Sequence, residues 1–272
     1  MITSNRILAV FRFNNLPRME LRSMNVRFQH IVFFGLFLFS MITGLNAQSY
    51  NYHIDLVSVK SDKISVELVC PSIESDTIRY QFPSVIPGNH YWANYGRFIE
   101  KFQAFDGSGN SLPVVKDGLN DFIISDARRL KRVSYKVNDT ADSKEKEKVM
   151  GWAATNFQKN EVFVINPGGV FGKFKNMANL PVQVSFSIPS GFYGSTSLEL
   201  VGAEANELHY AAKDYHQLID CPILFAQPDT ASFMVGDTKI EIACYNEAGD
   251  AVADYIAKYI EPDLEAIYRF AG

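Results

Sequence analysis

The 272-residue sequence lacks the marks of several common functional classes. It has no long block of lysine or arginine, and its formal net charge is −4, so nucleic acid is not an expected partner. The motifs HExxH, GxSxG, GxxxxGK[ST] and GxGxxG do not occur, so the sequence shows no zinc-binding helix, nucleophile elbow or phosphate-binding loop. We therefore predict no catalytic residue and no metal ligand.

Cysteine is scarce as well. Cys70, Cys221 and Cys244 make an odd number, so in an oxidising compartment at least one thiol stays free or pairs between chains. Cys70 and Cys244 each end an alternating apolar run, as buried thiols at strand ends do. We predict that the three cysteines are small buried apolar side chains, and we favour this over a disulfide.

Residues 1–47 have the pattern of a secretory signal peptide. Ile31–Leu45 is an uncharged, mostly apolar run of fifteen residues, preceded by arginines and followed by Ala47. A membrane-spanning helix needs about 20 apolar residues, so this run is too short. Met19 and Met24 are alternative starts. Cleavage after Ala47 predicts an exported protein, periplasmic or secreted, with no membrane contact afterwards.

Apolar residues alternate with a period of two through most of the remaining chain, which is typical of strands with one buried face. Six sets show it: Tyr52, Ile54, Leu56; Ile64, Val66, Leu68, Cys70; Ile78, Tyr80, Phe82; Val133, Tyr135, Val137; Val182, Val184, Phe186, Ile188; and Ile240, Ile242, Cys244. We predict an antiparallel β-sandwich over residues 48–245. Asp139–Lys148 is highly charged and is predicted to be a solvated loop rather than a functional lid.

A helical pattern follows from Asp250 onward, with an apolar stripe that continues past Pro262. The stripe consists of Val252, Tyr255, Ile256, Tyr259, Ile260, Leu264, Ile267 and Tyr268. An amphipathic helix must cover its stripe, and the sequence ends without a further element. Either the helix packs back on the sandwich, or it leads into a domain that is absent. We expect residues 246–272 to be the helical start of a truncated domain.

The segment Ile86–Arg97 has an unusual density of polar aromatic residues. It contains His90, Tyr91, Trp92 and Tyr95 within one short stretch. Such rings and the neighbouring amides would suit a sugar or a peptide end. The alternative is a structural corner in which the rings close one end of the sandwich and the arginine caps carbonyls, and composition alone favours the corner.

Several segments resemble, in order and spacing, the N-terminal domain of the glycyl aminopeptidase family of zinc metallopeptidases (metallopeptidase family sixty-one). The matching segments are Tyr50–Val59, Val85–Tyr91, Val164–Gly169, Ile188–Gly191 and the box Asp214–Ile223. Three positions depart from the family pattern. Ile86 stands where tryptophan is usual, and His216 and Cys221 replace an acidic residue and a serine.

The resemblance implies a domain that is followed, in this family, by a thermolysin-like helical domain with HExxH and then by a PDZ domain. It covers Tyr50 to Gly272 and would end before the zinc site. It thus implies that zinc belongs to the missing catalytic domain, that this chain binds no cofactor and is inactive alone, and that no active-site residue carries over.

The implied role is to pack against the catalytic domain, in cis or in trans, and to shape its peptide substrate cleft. The residues expected to form a contact or binding surface are His90, Tyr91, Trp92, Tyr95, Arg97, Asp214, Tyr215 and Asp220. A stand-alone secreted module that binds a glycan or peptide is the alternative, and a product without function is a third reading. A stand-alone module should bury the Val252–Ile260 stripe on its own sandwich.

Overall fold

The computed structural model describes residues 48–88 and 90–271. The predicted signal peptide, residues 1–47, lies outside the described residues. The strands are β1 Tyr50–Asp55, β2 Lys63–Val69, β3 Thr77–Gln81, β4 Ile99–Asp106, β5 Ser111–Leu112, β6 Val114–Asp117, β7 Asp121–Ser125, β8 Leu130–Asn138, β9 Asn156–Gln158, β10 Val162–Ile165, β11 Lys173–Phe174, β12 Val182–Ser187, β13 Tyr193–Ser195, β14 Glu199–Glu204, β15 Glu207–Ala212, β16 Ile223–Ala226, β17 Asp229–Val235 and β18 Thr238–Cys244. The α-helices are α1 Pro167–Val170, α2 Tyr215–Ile219 and α3 Ala253–Ala271, and 3₁₀ turns occupy Tyr95–Phe98, Ala127–Arg129 and Gly151–Ala153.

The strands form one large sheet and three smaller ones. The large sheet has the order β14-β15-β12-β1-β2-β8-β4-β5, and the two four-stranded sheets have the orders β13-β16-β10-β9 and β11-β3-β7-β6. One core contains side chains from all three of these sheets, such as Ile54, Tyr80 and Phe225. The predicted mainly β, antiparallel sandwich is confirmed. One pairing differs, because β1 and β12 run parallel, with Tyr52 opposite Val184.

The alternation in the sequence matches the burial of the strands. Tyr50, Tyr52 and Ile54 of β1 point into the core, while His53 between them is half-exposed. Each fully buried large apolar side chain stabilises the fold by about 1.5–3 kcal/mol relative to an exposed one. Side-chain burial along alternate positions therefore fixes which face of the large sheet meets the smaller sheets.

The charged segment 139–148 departs from its prediction at its first two residues. Asp139 and Thr140 are buried. The Asp139 carboxylate accepts hydrogen bonds from the backbone N–H groups of Ala141 and Phe157. Burial nevertheless raises the pKa of Asp139. The remaining residues of the segment are mostly exposed, as predicted.

The three cysteines are free; Cys221 is buried, and Cys70 and Cys244 are partly buried. The described residues contain no group of three His, Cys, Asp or Glu side chains that could hold a metal ion. Within the same residues, no helix is both long enough and apolar enough to span a bilayer.

The C-terminal hairpin and helix, Asp229–Ala271, pack on each other. β17 pairs with β18, and α3 contacts both strands. The Asp229 carboxylate accepts the backbone N–H groups of Val252 (2.6 Å) and Ala253 (2.5 Å) and so fixes the start of α3. The helix runs through Pro262 without ending. The described residues from Gln48 onward form one compact unit. The predicted domain division after residue 245 remains a prediction.

Candidate interaction surface

The predicted aromatic segment forms a corner with its own small core. Ile86, Ala93, Tyr95, Phe98 and Val149 are among the buried residues that pack together there, apart from the main core. Gly96 allows this close packing, because a Cβ on Gly96 would lie 2.4 Å from the Cα of Asn120. The Asn120 side chain accepts the Gly96 N–H and donates to the side-chain oxygen of Asn94. These contacts make the corner a rigid support.

Two tyrosines of the corner hold a second segment that the sequence reasoning did not identify. Tyr91 Oη accepts the backbone N–H of Met150 (2.6 Å), and Tyr95 Oη donates to the carbonyl of Ala153 (2.8 Å). The 3₁₀ turn between these contacts carries Trp152. The rings of Tyr91 and Trp152 meet edge to face, with centroids 6.5 Å apart.

Exposed aromatic and apolar side chains therefore occur on two segments about sixty residues apart in the sequence, which Tyr91 joins. Trp92 is 71% exposed, Trp152 is 62% exposed and Met150 is 51% exposed. Trp92 and Trp152 are the two tryptophans of the whole sequence. We call Tyr91, Trp92, Met150 and Trp152 the aromatic surface. Large apolar side chains that are exposed together on a rigid support are typical of contact sites.

Tyr95 and Arg97 lie inside the corner rather than on this surface. Tyr95 is fully buried, and burial raises its pKa. Arg97 donates to the carbonyls of Ala93 (3.1 Å) and Glu147 (2.6 Å), as in the structural alternative for this segment. His90 is exposed next to the aromatic surface. A direct binding role for each of these residues remains a prediction.

The Asp214–Ile223 box contains α2 and has both buried and exposed residues. The Asp214 carboxylate accepts the Gln217 N–H (2.8 Å) and caps the helix, while Asp220 follows its last residue and is exposed. Tyr215 is buried, and its hydroxyl donates to the carbonyl of Phe171. The contacts of Asp214 and Tyr215 thus lie within α2 and the core, and a binding role for Asp214, Tyr215 and Asp220 remains a prediction.

Buried tyrosine hydroxyls hold the backbone of residues 170–174, which connects the box to the corner. Tyr135 donates to the Val170 carbonyl (2.9 Å), Tyr52 donates to the Gly172 carbonyl (2.5 Å), and Tyr50 accepts the Phe174 N–H (2.9 Å). Burial raises the pKa of all three phenols. Because the hydroxyls are neutral and satisfied, they fix an irregular segment inside an apolar core.

The segment held in this way supports the corner through α1. A Cβ on Gly168 would lie 2.3 Å from Cγ2 of Ile86, so the Asn166–Gly169 turn and the Ile86 turn are in direct contact. Asn166 caps α1 by accepting the Gly168 N–H. The two family-like turns are thus one structural feature, and Ile86 fills the position where the family usually has tryptophan.

The family model of the peptidase M61 N-terminal domain matches residues 51–227, well over half of the chain. The chain belongs to the peptidase M61 family. The predicted resemblance is confirmed. The match ends two residues before β17 begins, so the C-terminal hairpin and helix lie outside the matched region of this M61 chain.

One solved structure shows the same fold, and a second is reported for its similarity alone. An aminopeptidase N family protein from Idiomarina loihiensis has 17% sequence identity and a TM-score of 0.64 over 79% of the M61 chain and 35% of its own chain. An M1 zinc metallopeptidase mutant from Deinococcus radiodurans, bound to a Tyr-Ser-Ala substrate, has 11% identity and a TM-score of 0.44 over 75% and 49%. The M61 chain thus spans about a third of the first protein and half of the second. A search of curated proteins finds no match.

Proposed function

We propose that this chain is the exported, non-catalytic N-terminal β domain of a zinc aminopeptidase-like protein. In this proposal it packs against a thermolysin-like catalytic domain, supplied in cis or in trans, and helps to shape a peptide substrate cleft. The zinc ion would belong to the catalytic domain. The observation that carries the proposal is the M61 N-terminal domain match over residues 51–227.

The aromatic surface is the proposed contact with the catalytic domain. Trp92 and Trp152 are the side chains expected to contribute most, because large aromatic residues that become buried at an interface commonly dominate its free energy. The backbone that carries Trp152 is held on both sides by the hydrogen bonds of Tyr91 to Met150 and of Tyr95 to Ala153, so little backbone ordering is needed there on association.

The C-terminal helix supports this proposal over the stand-alone glycan- or peptide-binding module. α3 packs on β17 and β18, but Tyr255 is 65% exposed and Tyr259 is 59% exposed. A module that is complete by itself should cover such a stripe. Exposed aromatic side chains on α3 fit a helix that contacts a further domain.

The first test reads the coding DNA beyond the codon of Gly272 in all frames. We expect an HExxH motif and a later glutamate within about one domain's length. A stop codon without such a motif nearby would contradict the proposal that the catalytic domain follows in the same chain.

N-terminal sequencing of the exported protein tests cleavage after Ala47, and an N-terminus at Gln48 is the expected result.

The second test measures association with a separately produced catalytic domain by sedimentation. We expect W92A and W152A each to raise the dissociation constant roughly thirtyfold, which corresponds to about 2 kcal/mol. V201A is the matched control, because Val201 is apolar and 54% exposed on β14, at the opposite edge of the large sheet from β4, which directly follows the corner. Equal affinities of the three variants and the parent chain would make the corner a structural element only.

A further inference from the structure

A polar pocket of about 370 Å³ adjoins the corner. It lies between the residues that follow β3, the turn between β6 and β7, β11 and the start of α2. Asn120 belongs to both features, because it lines the pocket while its amide binds Asn94 and Gly96. This volume is at the lower end of the range for small-molecule sites, which is roughly 300–1,000 Å³.

One wall of the pocket carries two fixed carboxylates. Arg79 Nη1 donates to Asp117 (2.6 Å) and to Asp121 (2.6 Å), and the Gln81 amide also donates to Asp121 (3.3 Å). A carboxylate has about four acceptor positions, so both groups can accept further hydrogen bonds from a ligand. Arg79 therefore fixes the position of the two carboxylates, and each carboxylate still has free hydrogen-bond acceptor positions.

Lys173 supplies a positive charge to the same pocket. Its side chain is half-buried and lies beside the Tyr215 ring, with Nζ 5.8 Å from the ring centroid. Among the described residues, no acceptor lies within hydrogen-bonding distance of Nζ. Burial lowers the pKa of Lys173, and the nearby Asp121 partly offsets this effect. The Lys173 ammonium group thus lines the pocket without a protein acceptor, and the carboxylate of an anionic ligand would provide one.

We propose that this pocket binds a free α-amino acid as its zwitterion. The ligand carboxylate would contact Lys173, and its ammonium group would contact Asp117 and Asp121. The charges of Arg79 and Lys173 balance those of the two aspartates, so a neutral zwitterion keeps the pocket neutral, whereas a phosphate dianion would not. Leu119 and the Tyr215 ring line the pocket as apolar surface for a side chain.

The experiment titrates the purified protein with L-alanine and follows backbone amide resonances of the pocket by NMR. We expect saturable shifts, and at least fivefold weaker binding of N-acetylalanine, which lacks the ammonium group, and of alanine amide, which lacks the carboxylate. K173M should weaken alanine binding about tenfold or more, as expected for the loss of a charge-assisted hydrogen bond. D117N should weaken it at least threefold.

K175M is the matched control, since Lys175 is exposed on the same segment. It should change the affinity less than twofold, and thermal melts should confirm that each variant folds. The proposal is overturned if alanine causes no saturable shift, if K173M and K175M bind equally, or if N-acetylalanine or inorganic phosphate binds as tightly as alanine. None of these results depends on a catalytic domain, so the site can fail while the proposed function holds.

Discussion

The sandwich and the C-terminal hairpin and helix use aromatic residues in opposite ways. In the sandwich, Tyr52, Tyr80 and Phe225 are fully or almost fully buried, and the phenols among them are hydrogen-bonded. In α3, Tyr255 and Phe270 are 65% and 94% exposed. The sandwich thus has a closed core, whereas α3 covers only one face of β17 and β18. The difference indicates that the sandwich provides most of the stability, whereas α3 exposes apolar area that could form a contact.

The sharpest test of this difference compares two phenylalanines. F225A should lower the free energy of unfolding by about 4 kcal/mol, because it opens a cavity in a packed core. F270A should change it by less than about 0.5 kcal/mol, because the side chain is already in water. Chemical denaturation measures both values. Similar losses in the two variants would mean that α3 is covered in solution.

A second prediction concerns the buried hydroxyls. Y52F should lower the free energy of unfolding by about 2 kcal/mol, because the Gly172 carbonyl and the Tyr80 hydroxyl lose a buried partner. Y193F is the control, since Tyr193 is 45% exposed, and it should be neutral. If Y52F were equally neutral in denaturation, the hydroxyl network would not fix the segment 170–174.

The third prediction isolates the start of α3. D229A should lower the free energy of unfolding of α3 by about 1 kcal/mol, as removal of a helix cap does. The variant should therefore show faster hydrogen exchange in α3 but not in the sandwich. D263A, at an exposed position of the same helix, is the control. Faster exchange across β1 and β2 in D229A would show that the two regions unfold as one.

The smallest expected effect is a pH dependence of the sandwich. Hydrogen bonds from Asn110, with further contributions from Ser108 and Arg129, lower the pKa of Asp106 to about 2. The carboxylate therefore stabilises the fold above about pH 4, and this contribution is lost as the pH falls towards 2. D106N should unfold at a lower denaturant concentration than the parent chain at pH 6, and the difference between the two midpoints should decrease towards pH 2. A difference that does not change with pH would contradict a stabilising role of the Asp106 carboxylate.

The sequence predicted the strands well because alternation is a local property. β1, β2 and β12 follow directly from their apolar sets. The parallel pairing of β1 with β12 could not be predicted, since it joins segments about 130 residues apart and depends on how the smaller sheets cover the core. Burial of Asp139 was missed for a similar reason, because its partner Phe157 lies beyond the charged segment.

The candidate surface was predicted in part. The density of aromatic residues identified Tyr91 and Trp92, but composition could not separate them from the buried Tyr95. Trp152 was missed because it follows the charged segment 139–148 and has no aromatic neighbours in the sequence. The rarity of tryptophan could have identified Trp152, because the sequence contains two tryptophans and both occur in irregular segments with apolar neighbours.

The tyrosines around residues 170–174 also determine how the protein behaves in alkaline solution. Their pKa values in the folded state lie above the ordinary value near 10, so above that pH the unfolded chain ionises while the folded core stays neutral. Stability must then decline as the pH rises past 10, and unfolding releases several protons together. For these residues, the growth of phenolate absorbance reports the opening of the sandwich rather than the titration of individual side chains.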